Sequence, residues 1–368
     1  MQESRATPVE SSAHSSAPSG ESTAANLAGL LALLEAGSDL SRDQADAIME
    51  ELLGGRLTHA DIVRLLAAMR AKGESIDELV GFARAMRRQV IFAAKLALPG
   101  TLPREPLVDT CGTGGDGGGT FNVSTAAAIV VAGAGVRVAK HGNRSFSSRC
   151  GSADVLEALG VKIDVPAERA FAAVQEVGMG FLFAPAMHTA MRHAVAARRE
   201  VGRRTVFNLL GPLTNPAGAN VQVIGVPTPA LVSKLGHALA ELGGLRAFVV
   251  HGTDGIDEIS LSAETEVADV RPHDVKRYRI SPADFGVQSV PREVLVGGDA
   301  ATNAAIIRRI LEGERGPRRD FVCINAAAAL VAAGRAESCA AGARLAAEAI
   351  DSGAALAKLN TLIDFSRS

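Results

Sequence analysis

Tryptophan is absent from this chain of 368 residues, tyrosine occurs once, and aromatic residues make up only 4% of it. That scarcity argues against a base-stacking platform for nucleic acid. No charge of one sign dominates either: 38 Lys and Arg stand against 40 Asp and Glu, a net charge of −2. No global field therefore steers the protein toward DNA or an anionic membrane. The four cysteines, Cys111, Cys150, Cys323 and Cys339, show no CxxC spacing and no histidine partner pattern, so neither a zinc knuckle nor a disulfide framework is suggested. A reducing, cytoplasmic setting is expected. Long apolar runs are missing too. The longest, Ala126 to Val136, is interrupted by glycine and falls short of the roughly 20 residues that span a bilayer. Residues 1–22 hold seven serines and two prolines, without the apolar core of a signal peptide or the arginine-rich bias of a transit peptide. They read as a disordered tail.

What the chain does have is length for one large or two unequal domains. Residues 23–98 read as a small α-helical domain. Ser41-x-x-Gln44 and Ser75-x-x-Glu78 are capping boxes, and Thr58-x-x-Asp61 is a weaker relative. Apolar residues follow them at spacings of three and four, among them Ile62, Leu65, Leu66 and Met69. Gly54-Gly55 and Gly73 close the first two of these helices. Pro99 to Pro106 reads as a linker. From Leu107 to the end the fold class is α/β, with a mostly parallel central sheet. Its strand candidates begin at Leu107 and continue with Val136–Val138, Val161–Ile163, Phe181–Phe183, Val221–Val226 and Ala247–Val250. A hairpin is expected over Glu266–Val270 and Lys276–Ile280, then helices from Ala300 to Phe365. Such sheets bind ligands at the carboxyl ends of their strands.

The chemistry-bearing motifs fall at those ends. Gly112-Thr113-Gly114-Gly115-Asp116-Gly117 satisfies GxGxxG after a strand, which opens a dinucleotide reading. The end of the next strand, however, carries Lys140-His141-Gly142-Asn143-Arg144 where an acidic ribose ligand belongs. A glycine loop wrapping a diphosphate fits better, because six glycines between Gly112 and Gly119 bring backbone close to something. Asn122, Ser124 and Thr125 open the following helix, where their side chains serve either as caps or as phosphate or metal-shell ligands. Ser152 is expected to cap a second helix start that attracts anions. The turn His251 to Glu258 sets Asp257 and Glu258 side by side, hard oxygen donors of the kind that hold Mg²⁺ together with substrate phosphates. A helix over Met187–Arg199 would bring His188, Met191, Val195 and Arg198 within about 80° of arc. That face suits a planar aromatic acid, with Arg198 forking onto its carboxylate. The segment Arg204 to Pro216 reads as a helix ended by Gly-Pro.

Taken in order, GTGGD at Gly112–Asp116, NVST at Asn122–Thr125, KHGNR at Lys140–Arg144, GSAD at Gly151–Asp154, RTVFNLLGPLTNP at Arg204–Pro216 and DE at Asp257–Glu258 closely resemble the motifs of the anthranilate phosphoribosyltransferases. The resemblance implies a small helical domain, joined by helices within residues 187–213, and a large α/β domain of residues 107–368, usually in a homodimer. It implies that anthranilate's amine attacks C1 of 5-phosphoribosyl 1-diphosphate, giving N-(5-phosphoribosyl)-anthranilate and diphosphate on the way to tryptophan. Gly112, Thr113, Gly114, Gly115, Asp116, Asn122, Val123, Ser124, Thr125, Lys140, Asn143 and Ser152 would then bind the donor. Gly112, Asn143, His188, Met191 and Arg198 would bind anthranilate, and Ser124, Asp257 and Glu258 would hold Mg²⁺, with two ions expected. No side chain is assigned as a strong base; Lys140 would act electrostatically, and His141 or His188 could accept the proton that leaves. One departure is visible, Thr189 where the family commonly has Pro. The rival readings are a pyrimidine-type nucleoside phosphorylase, a non-catalytic paralogue and, last, a dinucleotide oxidoreductase. Neither a nucleic-acid nor a membrane partner is expected.

Overall fold

The structure, a computed structural model, describes residues 20–97, 105–115, 119–145, 149–202 and 204–368. Residues 1–19 of the expected tail, all of the expected linker but Glu105 and Pro106, and the candidate ligand Asp116 lie outside them. Four helices come first: α1 (Gly20–Glu35), α2 (Arg42–Leu53), α3 (His59–Lys72) and α4 (Ile76–Ala97). The first begins at Gly20, so the end of the expected tail is helix instead. The good helix formers Ala24 and Ala25 carry the pattern back through it. The caps form as read. Ser41 Oγ accepts from the Gln44 N–H while Gln44 Oε1 accepts from the Ser41 N–H at 2.9 Å, and Ser75 and Glu78 do the same. Thr58 accepts from the Asp61 N–H. Glu78 is fully buried, and it also accepts from the Leu40 N–H at 2.9 Å and from Lys72 Nζ at 2.7 Å. Its charge is thus paired and hydrogen-bonded, which is what makes burying it tolerable.

Seven strands form one sheet in the order β3-β2-β1-β4-β5-β6-β7: β1 (Leu107–Gly112), β2 (Arg137–Gly142), β3 (Met179–Phe183), β4 (Val221–Gly225), β5 (Arg246–Gly252), β6 (Thr265–Arg271) and β7 (Asp274–Ile280). The pairings from β3 across to β5 are parallel, and β6 and β7 are the antiparallel hairpin read from the sequence. The order reverses at β1, whose neighbours β2 and β4 lead to opposite edges, so a crevice opens beyond its carboxyl end.

The connecting helices are α5 (Val123–Gly133), α6 (Ser152–Leu159), α7 (Ala167–Glu176), α8 (Ala184–Met187), α9 (Val195–Val201), α10 (Phe207–Leu213) and α11 (Pro229–Leu242), followed by α12 (Ala300–Leu311), α13 (Pro317–Ala332), α14 (Cys339–Asp351) and α15 (Ala354–Arg367). One apolar core joins α5, α6 and α12–α15 to one face of the sheet. A second runs from the N-terminal helices through Ala194, Ala197, Leu209, Leu210 and Leu235 to Ile224 and Val249 of the sheet. The helical unit therefore shares its core with the other sheet face by way of α9, α10 and α11.

Three further expectations change. Val161–Ile163 is not a strand: the Lys162 N–H donates to Ser366 Oγ of α15 at 2.9 Å, so its partner is a distant side chain and not a sheet neighbour. Met187–Arg199 is not one helix but α8, a 3₁₀ turn over Thr189–Ala194, and α9, with the break at His188 (φ −109°, ψ 60°). Pro212 lies inside α10, in its last turn, and the helix spans only Phe207–Leu213 of the longer segment expected.

Candidate active site

The carboxyl ends of β1 and β2, the starts of α5 and α6, the segment from α8 to α10 and the Asp257-Glu258 turn enclose a cavity of about 560 Å³. Gly112, Thr113, Gly114, Gly115, Asn122, Ser124, Thr125, Lys140, His141, Asn143, Ser152, His188, Met191, Arg198, Asp257 and Glu258 all line it. Val123 does not: it is fully buried with its N–H on the Phe121 carbonyl. The remaining candidate, Asp116, lies outside the described residues.

The glycine turn leaves β1 with Gly114 at φ +65° and Gly115 at φ +87°, conformations glycine adopts without strain. A Cβ on Gly115 would lie 1.9 Å from Arg204 Nη1; that guanidinium lines the cavity and donates to the Thr113 carbonyl at 3.2 Å. The capping expectations are corrected here. The amide of Asn122 makes no cap bond to α5; it donates to the Cys150 carbonyl at 3.0 Å and accepts from Asn303 at 2.9 Å. The cap residue of α6 is Gly151, whose N–H is taken by Asp154 at 2.8 Å, while Ser152 sits inside the first turn facing the cavity. Both helix starts still turn backbone donors and positive dipole ends toward it.

Lys140 is not the surface lysine its position in a glycine turn invites. It is 1% exposed, and Nζ donates to the Thr110 carbonyl at 2.5 Å. Beneath it lies Asp109, a fully buried carboxylate that accepts from the His141 N–H at 3.1 Å and from Asn215 Nδ2 at 2.8 Å. Burial pushes Asp109 up to about 6, against the pull of Lys140, and burial lowers Lys140 against the pull of Asp109. Desolvation outweighs their attraction in both groups; negative charge in the cavity would favour the Lys140 ammonium and disfavour the Asp109 carboxylate. Asp109, Asn215 and Arg204 were not among the sequence candidates. The signal available was a carboxylate inside a strand otherwise buried on both faces.

The acidic turn sits directly against the strand ends. A Cβ on Gly112 would lie 2.9 Å from Asp257 Oδ2, and one on Gly225 would lie 1.5 Å from the Asp257 carbonyl oxygen. Asn325 of α13 holds the next residue, accepting from the Ile259 N–H at 3.0 Å and donating to its carbonyl at 3.1 Å. Among the described residues no group of three or more His, Cys, Asp or Glu could hold a metal by itself. The donors present are Ser124 and a carboxylate pair. They fit Mg²⁺, which keeps several waters and takes substrate phosphates, better than a cation needing a complete protein cage.

Opposite lie His141 and His188, with ring centroids 5.0 Å apart. Each has a buried Nε2 with no partner, although His141 Nδ1 lies 3.2 Å from the Gly211 carbonyl oxygen. Burial lowers His141 to about 3, assisted by His188, and lowers His188 to about 4. Both are neutral at pH 7 and their folded values lie below the unfolded one. The stability they contribute is therefore present above pH 6.5 and is lost as pH falls toward 4. Asp109, raised in the folded state, acts in the opposite sense over the same range, so a difference measurement isolates the histidine. Relative to His188→Asn, the wild type is expected to lose about 2 kcal/mol of unfolding free energy between pH 6.5 and 5, read from urea denaturation; parallel curves would contradict the assignment. Arg198 lies 5.3 Å from the Phe207 ring centroid, and among the described residues it has no carboxylate at ion-pair distance. The broken helix thus delivers the four residues expected on one face to one cavity, by a 3₁₀ turn instead of a continuous 100° step.

Comparison with known proteins agrees with this geometry. Residues 19–90 match the helical bundle domain of the glycosyl transferase family, and residues 104–356 match its α/β domain. The anthranilate phosphoribosyltransferase of Pelotomaculum thermopropionicum is 55% identical over 330 residues, covering 89% of this chain and 93% of that protein. The crystal structure of the Thermus thermophilus enzyme superimposes with a TM-score of 0.84 at 44% identity, covering 92% of this chain and 99% of that one. The Saccharomyces cerevisiae enzyme in complex with PRPP and Mg gives 0.82 at 27% identity, covering 95% and 99%. Its complex with 4-fluoroanthranilate gives 0.79 at 28% identity, covering 94% and 98%. With both domains matched and more than half the residues shared with a relative across nearly its full length, the chain belongs to the anthranilate phosphoribosyltransferases.

Proposed function

We propose that this cavity transfers the 5-phosphoribosyl group of 5-phosphoribosyl 1-diphosphate to the amine of anthranilate, releasing diphosphate and giving N-(5-phosphoribosyl)-anthranilate for tryptophan biosynthesis. The observation that carries it is one cavity with two chemically opposite walls. A glycine turn, two helix starts, buried Lys140 and a carboxylate pair form one. Arg198, Met191 and two neutral histidines form the other. The first suits a diphosphate with its metal, and the second suits a flat aromatic acid.

In this reading the diphosphate lies on Gly112–Gly115, with Asp116 beyond them, and on the α5 start at Asn122–Thr125. Lys140, Asn143 and Ser152 hold the rest of the donor. Gly112, Asn143, His188, Met191 and Arg198 hold anthranilate. Ser124, Asp257 and Glu258 hold Mg²⁺, taken as two ions, which when bound neutralises charge on the departing diphosphate. The aniline nitrogen is already neutral at pH 7, so no strong base is needed to make it a nucleophile. As the C1–O bond breaks, the ribose gains oxocarbenium character and the leaving group gains negative charge. Lys140 and the helix starts stabilise that charge more in the transition state than before it. After the C–N bond forms, the amine loses a proton; His141 and His188, neutral and with unpartnered Nε2 atoms, can take it. Replacing each by Asn is expected to lower the turnover number; unchanged turnover would remove the histidines from this role. The protein acts in the cytoplasm as a homodimer, with a helical domain of residues 23–98 and helices within 187–213 set against an α/β domain of 107–368. No helix among the described residues is long and apolar enough to cross a membrane.

Anthranilate fluorescence is expected to fall on adding 5-phosphoribosyl 1-diphosphate with Mg²⁺ and to persist without the metal. Absence of any fall, together with phosphorolysis of a pyrimidine nucleoside, would favour the phosphorylase alternative. Arg198→Ala is expected to raise the KM for anthranilate roughly 10- to 100-fold, because it removes a charge-assisted bond to the carboxylate. A defect confined to the diphosphate donor would refute its placement.

A further inference from the structure

Asn303 lies on α12, far along the chain from every motif above. It is 2% exposed. Its Oδ1 accepts from the Gly298 N–H at 2.7 Å, and its Nδ2 donates to Asn122 Oδ1 at 2.9 Å. Asn122 Nδ2 in turn donates to the Cys150 carbonyl at 3.0 Å. The two amides form a chain whose direction is fixed at both ends by backbone groups. Gly298 offers only a donor, so Asn303 must present its oxygen there and its NH₂ to Asn122. The Cys150 carbonyl can only accept, so Asn122 must present its NH₂ there and its oxygen to Asn303. Neither amide can flip without setting like groups face to face. Around this chain the same segment grips the end of the glycine turn: the Gly297 N–H donates to the Gly119 carbonyl at 2.6 Å, and Thr120 bridges Val296. Farther along α12, Arg308 donates to the Leu159 carbonyl at the end of α6 at 3.2 Å.

We propose that Asn303 is a positioning residue for the diphosphate donor: through Asn122 and Cys150 it fixes the spacing and direction of the two helix starts, α5 and α6, that face the donor's two phosphate ends. It touches no substrate. The inference rests on the functional reading above and adds to it that a C-terminal helix sets donor affinity. A ligand with phosphate at both ends needs two anion sites at one separation, and a side chain that locks both starts supplies that before binding. None of its bonds reaches the segment from α8 to α10, which carries His188, Met191 and Arg198 of the anthranilate side.

Two variants test this. Asn303→Asp keeps the shape and the acceptor for Gly298 but places an acceptor opposite Asn122 Oδ1, and Asn303→Leu removes both functions at similar size. Thermal melting first establishes that each is folded; calorimetric titration of 5-phosphoribosyl 1-diphosphate with Mg²⁺, and steady-state kinetics, then follow. The donor Kd and donor KM are expected to rise about tenfold or more in each folded variant, with the anthranilate KM within about twofold of wild type. Folded variants that bind the donor like wild type, or in which both KM values rise together, would overturn the inference and leave the functional reading intact. Wild-type protein that fails to bind the donor would sink that reading, and this inference with it.

Discussion

Lys140→Met is expected to lower the turnover number about 10²- to 10³-fold, the loss typical when one preorganised donor to a developing anion is removed. The side chain is buried at the end of β2 with its ammonium on the Thr110 carbonyl, so little reorganisation separates it from a charge arriving in the cavity. Being already desolvated, it interacts more strongly with a departing diphosphate than a surface lysine could. Because that charge grows along the reaction, the effect falls on kcat more than on either KM. Asp109 loses its cation in the variant yet keeps the His141 N–H and Asn215 as donors. With its carboxyl already pushed up to about 6, it can protonate instead of unfolding the sheet end. A variant that is folded by circular dichroism and retains wild-type turnover would remove Lys140 from the chemistry.

Asp257→Asn combined with Glu258→Gln is expected to lower kcat/KM by about 10²-fold or more at low millimolar Mg²⁺, with part of it recovered as Mg²⁺ is raised. Stability should change little, because the turn is held by backbone contacts that the double variant keeps. Asn325 still bridges Ile259, and the close approach of the Asp257 carbonyl to Gly225 does not involve the carboxylate. Activity lost while the metal-free melting temperature holds marks a functional pair. Activity and stability falling together, with no response to Mg²⁺, would mark a structural one.

Most of the fold is legible in the sequence because its signals are local. The Ser41 and Ser75 capping boxes, the glycine turn after β1 and the hairpin of β6 and β7 are written within a few residues of where they act. What was not legible depends on partners far along the chain. Val161–Ile163 has the β-branched look of a strand, but Ser366 takes its backbone N–H. The α8 to α9 segment keeps an amphipathic spacing across a break at His188 that no proline at 189 announces. The site shows the same division. Glycines, Lys140 and the carboxylate pair follow from spacing, whereas Asp109, Arg204 and Asn303 matter through contacts that only the folded sheet and the packing of α12 create. A buried polar residue in an apolar setting, such as Asp109 in β1 or Asn325 in α13, is the trace such contacts leave in sequence.

Product analysis tests the central claim most directly. Purified protein is incubated with anthranilate, 5-phosphoribosyl 1-diphosphate and Mg²⁺, and both products are quantified by mass spectrometry and a diphosphate assay. The account predicts N-(5-phosphoribosyl)-anthranilate and diphosphate in a one-to-one ratio, with no diphosphate released when anthranilate is omitted. Diphosphate released without anthranilate at an undiminished rate, or anthranilate recovered unchanged, would contradict it.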